Sequence, residues 1–587
     1  MGLIGVQGGH GVDMRLTLIF AILSFHYSLW AQPQVTTAKP APLPRIAQNG
    51  AVKQMFVDGK PFLMLAGELH NSSASSVEYM RTIWDHLAKL NLNTVIGTVS
   101  WELLEPEEGK FDFSLVDSQI QEARKRHMRL AFVWFGSYKV SSGLVPVWIK
   151  KNPARFPLLV SRPAAGRGGA GASDRYNGSL SAFAEQNTAA DARAYAALMR
   201  HIRETDPQHT VILMQVENEV GLTGDTRDRS PLAEAAWAKP VPADLMSYLT
   251  RNKAALLPEL QEVWARNGYK TSGSWPEVFG EDERADEIFM AYFLGTYVNR
   301  VTQAGKAELN IPTYINPWIY SVNGTPKPGT YPSGGPVARV MDIYHAVAPA
   351  VDLIGPDIYD KEFKEICALY TRAGNPLLFS ESRNIPANYV YAVGKHSTLG
   401  ISPFGVEDAP DEGQFARLNK LLGGFSAQLA AWQAAGKVTA VLVDGDQPET
   451  VSLGGYKITI GRPRAGRGQA GGATTAAAAG GSAAAPPVWM GTNCTGAFHA
   501  CEQTETRPYA LIANIAPDEF LFLGSNCTPT FAVESGPGRA VVGYKDEGHY
   551  EDGKWIAGRR LNGDEASRGL PGNGVIGMLR VKLFRQE

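Results

Sequence analysis

Residues 211–221 read VILMQVENEVG: five apolar residues around Gln215, then Glu217, Asn218 and Glu219 in a row. A carboxylate placed directly behind an apolar run is costly to bury unless a partner or a reaction uses it. Other apolar runs end in the same kind of residue. PFLMLAG leads to Glu68 and His70, NTVIGTVS to Trp101, and RLAFV to Trp134. IPTYIN leads to Trp318 and Tyr320, VDLIGPD to Tyr359, and PLLFS to Glu381 and Arg383. Carboxyls, amides, a histidine and aromatic rings gathered at strand ends suit a carbohydrate. A sugar offers flat C–H faces to rings and hydroxyls to amides and carboxylates. Hydrolysis of a glycoside needs two carboxyl groups flanking the scissile bond.

The elements that would gather these residues alternate. Eight short apolar runs lie between residues 61 and 405, most of them separated by segments with helical periodicity. That alternation predicts a mostly parallel sheet, and eight repeats predict a (β/α)8 TIM barrel, residues 45–435. A doubly wound open sheet is the rival, but no Gly-rich phosphate fingerprint follows the first run. In a barrel the strand ends share one rim, and strands four and seven face each other across it. A strand-four glutamate, Glu217 or Glu219, and Glu381 are therefore the natural pair. From about Lys437 the texture becomes short strand-like runs with turn signals, which predicts a C-terminal all-β sandwich-like domain, 436–587. Its expected role is packing against the barrel rather than contact with carbohydrate. Two Gly/Ala/Arg-rich stretches, 162–175 and 462–487, read as insertions without a core of their own.

A formal net charge of -2 with no basic block argues against nucleic acid as a partner. Arg15 followed by LTLIFAILSF and LWAQ reads as a signal peptide over 1–31, cut after Ala31. The expected location is exported, periplasmic or extracellular, with no membrane span in the mature chain; a membrane anchor is the minority alternative. Cys367 is expected as a buried thiol. Cys494, Cys501 and Cys527 are expected to supply one disulfide, its pairing open. No cofactor and no metal is implied: there is no HExxH motif and no dense ligand set. Oligomeric state is not legible.

VILMQVENEVG resembles the strand-four signature of glycoside hydrolase family 35, the β-galactosidases, within the retaining clan of (β/α)8 glycosidases. The stretch WDHLAKLNLNTVIGTVSWELLEPEEGKFDFS, residues 84–114, is similar to the same family and to the related family 42. The resemblance implies that Asn218 binds the sugar 2-hydroxyl, that Glu219 is the acid/base and that Glu381 is the nucleophile. It implies a carbohydrate substrate, hydrolysed by double displacement with retention, with carboxyls about 5–5.5 Å apart. The chain departs from the family after strand three, where FVWFGSYK replaces an Ala-Glu-Trp stretch, and at FSESRNIPAN. Other β-glycosides are thus open alongside β-galactosides.

Glu217 shares strand parity with Glu219, so it competes as the acid; the Asn-Glu order favours Glu219. Glu68 and His70 are expected to pair with each other or to touch the sugar. Trp101, Trp134 and Trp318 are candidate sugar platforms or core. One of Tyr320 and Tyr359 is expected to bond the nucleophile or the sugar, and Arg383 to stabilise Glu381 as a carboxylate. Glu102, Glu105 and Glu107 read as loop or surface charges. The rival function is a non-catalytic carbohydrate-binding or scaffold protein on the same fold.

Overall fold

β-Branched and large apolar residues fill the central runs on both faces, as parallel strands buried on both sides require. In a computed structural model these runs pair in parallel. The structure describes residues 41–139, 144–162, 179–320, 326–462 and 505–587. The expected signal peptide lies outside them, as do nearly all of both Gly/Ala/Arg-rich insertions and Cys494 and Cys501.

Strands β1 (Arg45–Asn49), β2 (Val52–Val57) and β3 (Lys60–Phe62) form a small antiparallel sheet ahead of the barrel. The barrel strands follow: β4 (Met64–Glu68), β5 (Thr94–Ser100), β6 (Arg129–Phe135), β7 (Val211–Val216), β8 (Thr313–Ile315), β9 (Leu353–Ile354) and β10 (Gly400–Ile401). Their order is β10-β4-β5-β6-β7-β8-β9, all parallel. The run PLLFSE makes no regular ladder but occupies the gap between β9 and β10. The Leu377 carbonyl accepts from Leu399 N–H at 2.9 Å, the Glu381 carbonyl from Ile358 N–H at 2.9 Å, and the Ser382 carbonyl from Phe404 N–H at 3.1 Å. All eight runs thus take part in one closed circle, a TIM-like barrel. Long helices cover it, among them Glu185–Thr205, Glu283–Glu308 and Gln414–Ala434. Among the described residues, no helix is long and apolar enough to cross a membrane.

Beyond the barrel, β11 (Val438–Leu442), β12 (Glu449–Leu453), β13 (Tyr456–Gly461), β14 (Tyr509–Ala516), β15 (Glu519–Ser525), β16 (Thr528–Val533), β17 (Arg539–Glu551), β18 (Lys554–Arg560) and β19 (Gly577–Gln586) build two antiparallel sheets. Their orders are β11-β14-β15-β19-β17-β18 and β12-β13-β16. The sequence reading misses β12 and β16. ETVSL is half exposed along its length, and Pro529 in β16 is tolerable only because that strand is an edge.

The larger sheet is covered on both faces, and strand parity sorts its residues. Ala510, Ile512, Phe520 and Phe522 pack toward the smaller sheet. Their alternates Tyr509, Leu511, Leu521 and Leu523 join the barrel's own core. The barrel helix Pro386–His396 lies directly on β11. A methyl group at Gly394 would sit 2.6 Å from Ala440 Cβ and 2.8 Å from the Thr439 carbonyl, so only glycine permits that approach.

Candidate active site

Strand β7 ends at Val216, and the next residues leave the extended conformation. Glu217 has φ 65° and Glu219 φ 49°, both left-handed. Such a backbone costs a non-glycine residue about 1–2 kcal/mol, so surrounding bonds must hold it. They are present. Tyr138 N–H donates to Glu217 Oε2 at 2.7 Å, and Asn218 N–H to the Tyr138 carbonyl at 3.2 Å. Glu219 N–H donates to Asn316 Oδ1 at 2.9 Å. Gln215 Nε2 reaches Asn218 Oδ1 at 2.9 Å and Asn316 Oδ1 at 3.0 Å. The left-handed turns send two carboxyls of equal strand parity to different places: Glu217 inward, Glu219 to the rim.

Lys139 Nζ donates to Glu219 Oε2 at 3.3 Å, both side chains being largely buried. Glu381, Glu68 and Asp357 also lie within electrostatic reach of the same ammonium. Burial alone would pull the Lys139 pKa down; these carboxyls outweigh it and hold the ammonium above its usual range. Tyr359 OH donates to Glu381 Oε2 at 2.7 Å. Burial pushes the Glu381 carboxyl up, Lys139 pulls it back, the Glu219 charge adds to the rise and the Tyr359 hydroxyl opposes it. Glu68, at the end of β4, is fully buried, and its two carboxyl oxygens have no hydrogen-bond partner among the described residues. Burial, then the Glu381 charge, drives it well above the ordinary carboxylate range. Asp357 is driven the same way, by burial first and then Glu381, while accepting from Asn316 Nδ2 at 2.8 Å and Ser380 Oγ at 3.2 Å. Glu68, Asp357 and Glu381 are thus each pushed upward by burial and by neighbouring carboxyls, with one lysine ammonium opposing the rise. Asn218 Nδ2 and Glu381 Oε1 are likewise buried without a partner among the described residues. Unpaired polar atoms at a strand-end rim are what a sugar's hydroxyls would satisfy.

The Tyr359 hydroxyl favours the ionised form of Glu381. A bond of this kind is worth about 1.5–3 kcal/mol. Tyr359→Phe is expected to lower kcat/KM of the glycosidase reaction proposed below by roughly 10–150-fold, at about 1.4 kcal/mol per tenfold, and to move its acidic limb to higher pH. A pH–rate profile indistinguishable from wild type would show that the hydroxyl does not serve Glu381.

Behind the rim, Glu217 meets Asp191 of helix Glu185–Thr205. A methyl at Gly136 would lie 2.4 Å from Glu217 Oε1 and 2.9 Å from Asp191 Oδ2, so glycine makes room for the two carboxyls. Trp134 Nε1 donates to Asp191 Oδ1 at 2.8 Å and Tyr297 OH to Asp191 Oδ2 at 2.6 Å. Burial, then the Asp191 charge, pushes Glu217 well up, so the pair shares one proton carried by Glu217. A group raised on folding stabilises most below its unfolded pKa, about 4.3 for Glu, and that stability is lost as pH rises through the folded value. Glu217→Gln keeps a donor toward Asp191 and an acceptor for Tyr138 N–H without titrating. Urea midpoints measured from pH 5 to pH 9 should therefore fall less steeply in Glu217→Gln than in wild type. Equal slopes would rule out the shared proton.

Several sequence expectations change. His70 and Glu68 do not pair: His70 Nε2 meets Asp408 Oδ2 at 2.8 Å at the half-exposed rim, while Glu68 turns inward to the carboxyl cluster. Trp101 and Trp134 are fully buried, so neither offers a ring face to a ligand. Trp101 Nε1 donates to Glu105 Oε2 at 2.8 Å, and the two indoles pack 6.2 Å apart. Glu105 is not a surface charge: it is buried, accepting also from Gly109 N–H at 2.7 Å and Arg193 Nη2 at 3.0 Å. Arg383 lies in the field of Asp360 and Tyr359, and Lys139 is a cation whose charge favours the Glu381 carboxylate. Of Tyr320 and Tyr359, the latter bonds Glu381, while Tyr320 lies under the Arg339 guanidinium, 4.5 Å from the ring centre. Trp318 remains 41% exposed and borders a cleft of about 320 Å³ with Tyr320, Tyr331, Asp357, Tyr359 and Asp360. The sequence reading passed over Lys139, Asn316 and Asp357 as site residues. Asn316 follows β8 directly, Asp357 lies three residues beyond β9 and Lys139 four beyond β6, so the strand-end rule itself pointed there. Asp191, mid-helix, gave no such signal.

Residues 71–279 match the β-galactosidase model of glycoside hydrolase family 42, and residues 415–571 match a domain of unknown function, DUF5597. The second match spans most of the last barrel helix as well as most of the C-terminal sheets. A β-galactosidase of Xanthomonas manihotis is 36% identical over 105 residues, 17% of this chain and 16% of that protein. Among solved structures, a β-galactosidase from Rahnella sp. R3 superposes with a TM-score of 0.40 at 14% identity, over 62% of this chain and 57% of that one. The β-galactosidase of Marinomonas ef1 gives 0.39 at 13% identity, over 63% and 60%. The chain therefore spans about a sixth of the curated relative's length and less than two thirds of these structures.

Proposed function

We propose that this chain is an exported, retaining exo-glycosidase that hydrolyses terminal β-galactosides of oligo- and polysaccharides. The observation that carries the reading is the gathering of Glu219 and Glu381 about one buried ammonium, with the Tyr359 hydroxyl on Glu381 and Asn218 Nδ2 buried without a partner among the described residues. The β-galactosidase model over residues 71–279 supports the same sugar. Assignment to family 35 rather than family 42 rests on the QVENEVG stretch alone.

In the first step a Glu381 oxygen attacks the anomeric carbon. The glycosidic bond breaks, and the leaving oxygen takes a proton from Glu219. In the second, water attacks the same carbon, gives its proton to Glu219 and releases Glu381. Asn218 Nδ2 donates to the 2-hydroxyl, a bond that strengthens as positive charge develops at the ring. The left-handed backbone at 217–219, tied to Tyr138 and Asn316, keeps Glu219 fixed while its charge changes. Trp318 and Tyr320 border the same cleft as Tyr359 and Asp357.

A panel of nitrophenyl β-glycosides tests this. The galactoside should be turned over fastest, and NMR should show the β-anomer as first product. Preference for a glucoside, mannoside or arabinoside would correct the sugar, an α-anomer would overturn retention, and no turnover of any glycoside would favour the binding-protein reading. Export is tested by fractionation of cells making the full chain.

A further inference from the structure

The mechanism above leaves Lys139 unused, although it is the cation at the centre of the site. It is firmly built in. The preceding residue is clamped on both sides of its peptide group, Tyr138 N–H by Glu217 Oε2 at 2.7 Å and the Tyr138 carbonyl by Asn218 N–H at 3.2 Å. The Tyr138 hydroxyl donates to the Leu180 carbonyl at 2.9 Å. The ammonium itself lies 5.6 Å from the centre of the Phe135 ring. A lysine merely left over from packing would extend to water; this one is turned back over the end of its own strand.

We propose that Lys139 is a positioning residue of the reaction: its ammonium, bonded to Glu219 and within electrostatic reach of Glu381, holds the pair at one negative charge while that charge moves between them. The proposal rests on the assignment of Glu219 and Glu381 above. Before attack the charge is on Glu381 and the proton on Glu219. After the sugar is transferred, Glu381 is a neutral ester and Glu219 the carboxylate. The pair carries one negative charge in both states, but on different residues. A single fixed cation beside Glu219 and within reach of Glu381 neutralises it throughout without taking part in proton transfer, and in a dry site that constancy is worth far more than in water.

The other groups turned toward this spot cannot substitute. Glu68 from β4 and Asp357 beyond β9 are carboxyls, and so is Glu407, which faces Glu68. Tyr359 bonds Glu381 but carries no charge to balance the pair, and Arg383 lies in the field of Asp360 and Tyr359. His70 is taken up by Asp408. Without Lys139 the surrounding carboxyls would drive the pair to bind a second proton, leaving Glu381 neutral and unable to attack.

The test compares Lys139→Met, which removes the charge at similar volume, with Lys139→Arg, which keeps it. Pre-steady-state and steady-state rates are read against pH on the fastest substrate of the panel. Lys139→Met should lower kcat about 10²–10³-fold, as loss of one preorganised electrostatic partner does, with KM little changed. The acidic limb of its kcat/KM should move to higher pH. Lys139→Arg should return the limb to the wild-type position. The same variants, labelled with ¹³C at the glutamate carboxyl carbon and assigned with Glu219→Gln and Glu381→Gln, are titrated by NMR. The pair should take up its second proton at higher pH in the Met variant and as wild type in the Arg variant. If wild type turns over no glycoside, the proposed function fails, and this titration alone still decides the role of Lys139. A folded Met variant whose rate profile or carboxyl titration matches wild type would overturn it. If Lys139→Met does not fold, Lys139→Gln carries the same expectations.

Discussion

Glu381→Ala is expected to reduce kcat on a nitrophenyl galactoside by a factor on the order of 10⁴–10⁶, the scale seen when a covalent nucleophile is removed. The protein should stay folded, because Glu381 gives up a bond only to Tyr359 and relieves crowding among Glu68, Asp357 and Glu219. Glu219→Ala should behave differently, and the difference identifies the roles. With a dinitrophenyl leaving group that needs no protonation, sugar transfer to Glu381 should survive and hydrolysis of the intermediate should stall, visible as a burst. Added azide, which needs no general base, should restore turnover of Glu219→Ala and give a β-glycosyl azide. In Glu381→Ala it should give the α-product. If instead Glu217→Ala shows the burst and the azide rescue while Glu219→Ala does not, the acid has been assigned to the wrong carboxyl. The buried position of Glu217, one carboxyl oxygen on Tyr138 N–H and the other beside Asp191, argues against that outcome.

Trp134→Ala is expected to cost stability rather than affinity. The indole is fully buried between Trp101, 6.2 Å away, and Tyr195, 5.8 Å away. Truncating such a residue costs about 3–5 kcal/mol. The Asp191 carboxyl would also lose the indole N–H, and a hydrogen bond to a charged group is worth about 1.5–3 kcal/mol more. Set against total stabilities of about 5–15 kcal/mol, the loss is large. Urea denaturation should show a much lower midpoint, with the KM of the surviving folded fraction near wild type. A raised KM with an unchanged midpoint would mean that the ring serves as a sugar platform after all.

Much of this was legible without coordinates. All eight apolar runs take part in the barrel, because strand burial writes itself into local composition: VILMQV and RLAFVWF have nowhere else to go. The two-faced sheet of β14 and β15 was visible as strands for the same reason. Residues at strand ends were also readable as a rim, since parallel order alone places them together. That is how Glu219, Glu381, Asn218, Trp318 and Tyr359 could be proposed from spacing and resemblance.

What the sequence could not show was where each side chain turns once its strand has ended. Periodicity stops at Val216, and Glu217 and Glu219, equal by parity, are separated only by left-handed backbone held from Tyr138 and Asn316. The contacts that define the charge of the site join distant segments: Lys139 meets Glu219 80 positions on, Trp134 meets Asp191 57 on, and His70 finds Asp408 rather than Glu68. Whether Trp101 and Trp134 were platform or core depended on what covered them, and helix Glu185–Thr205 supplies part of that cover through Tyr195 and Asp191. Local sequence thus determined which segments are buried and which residues reach the rim. Only the tertiary structure decided which of those residues share a charge, because that depends on distances between segments far apart in the chain.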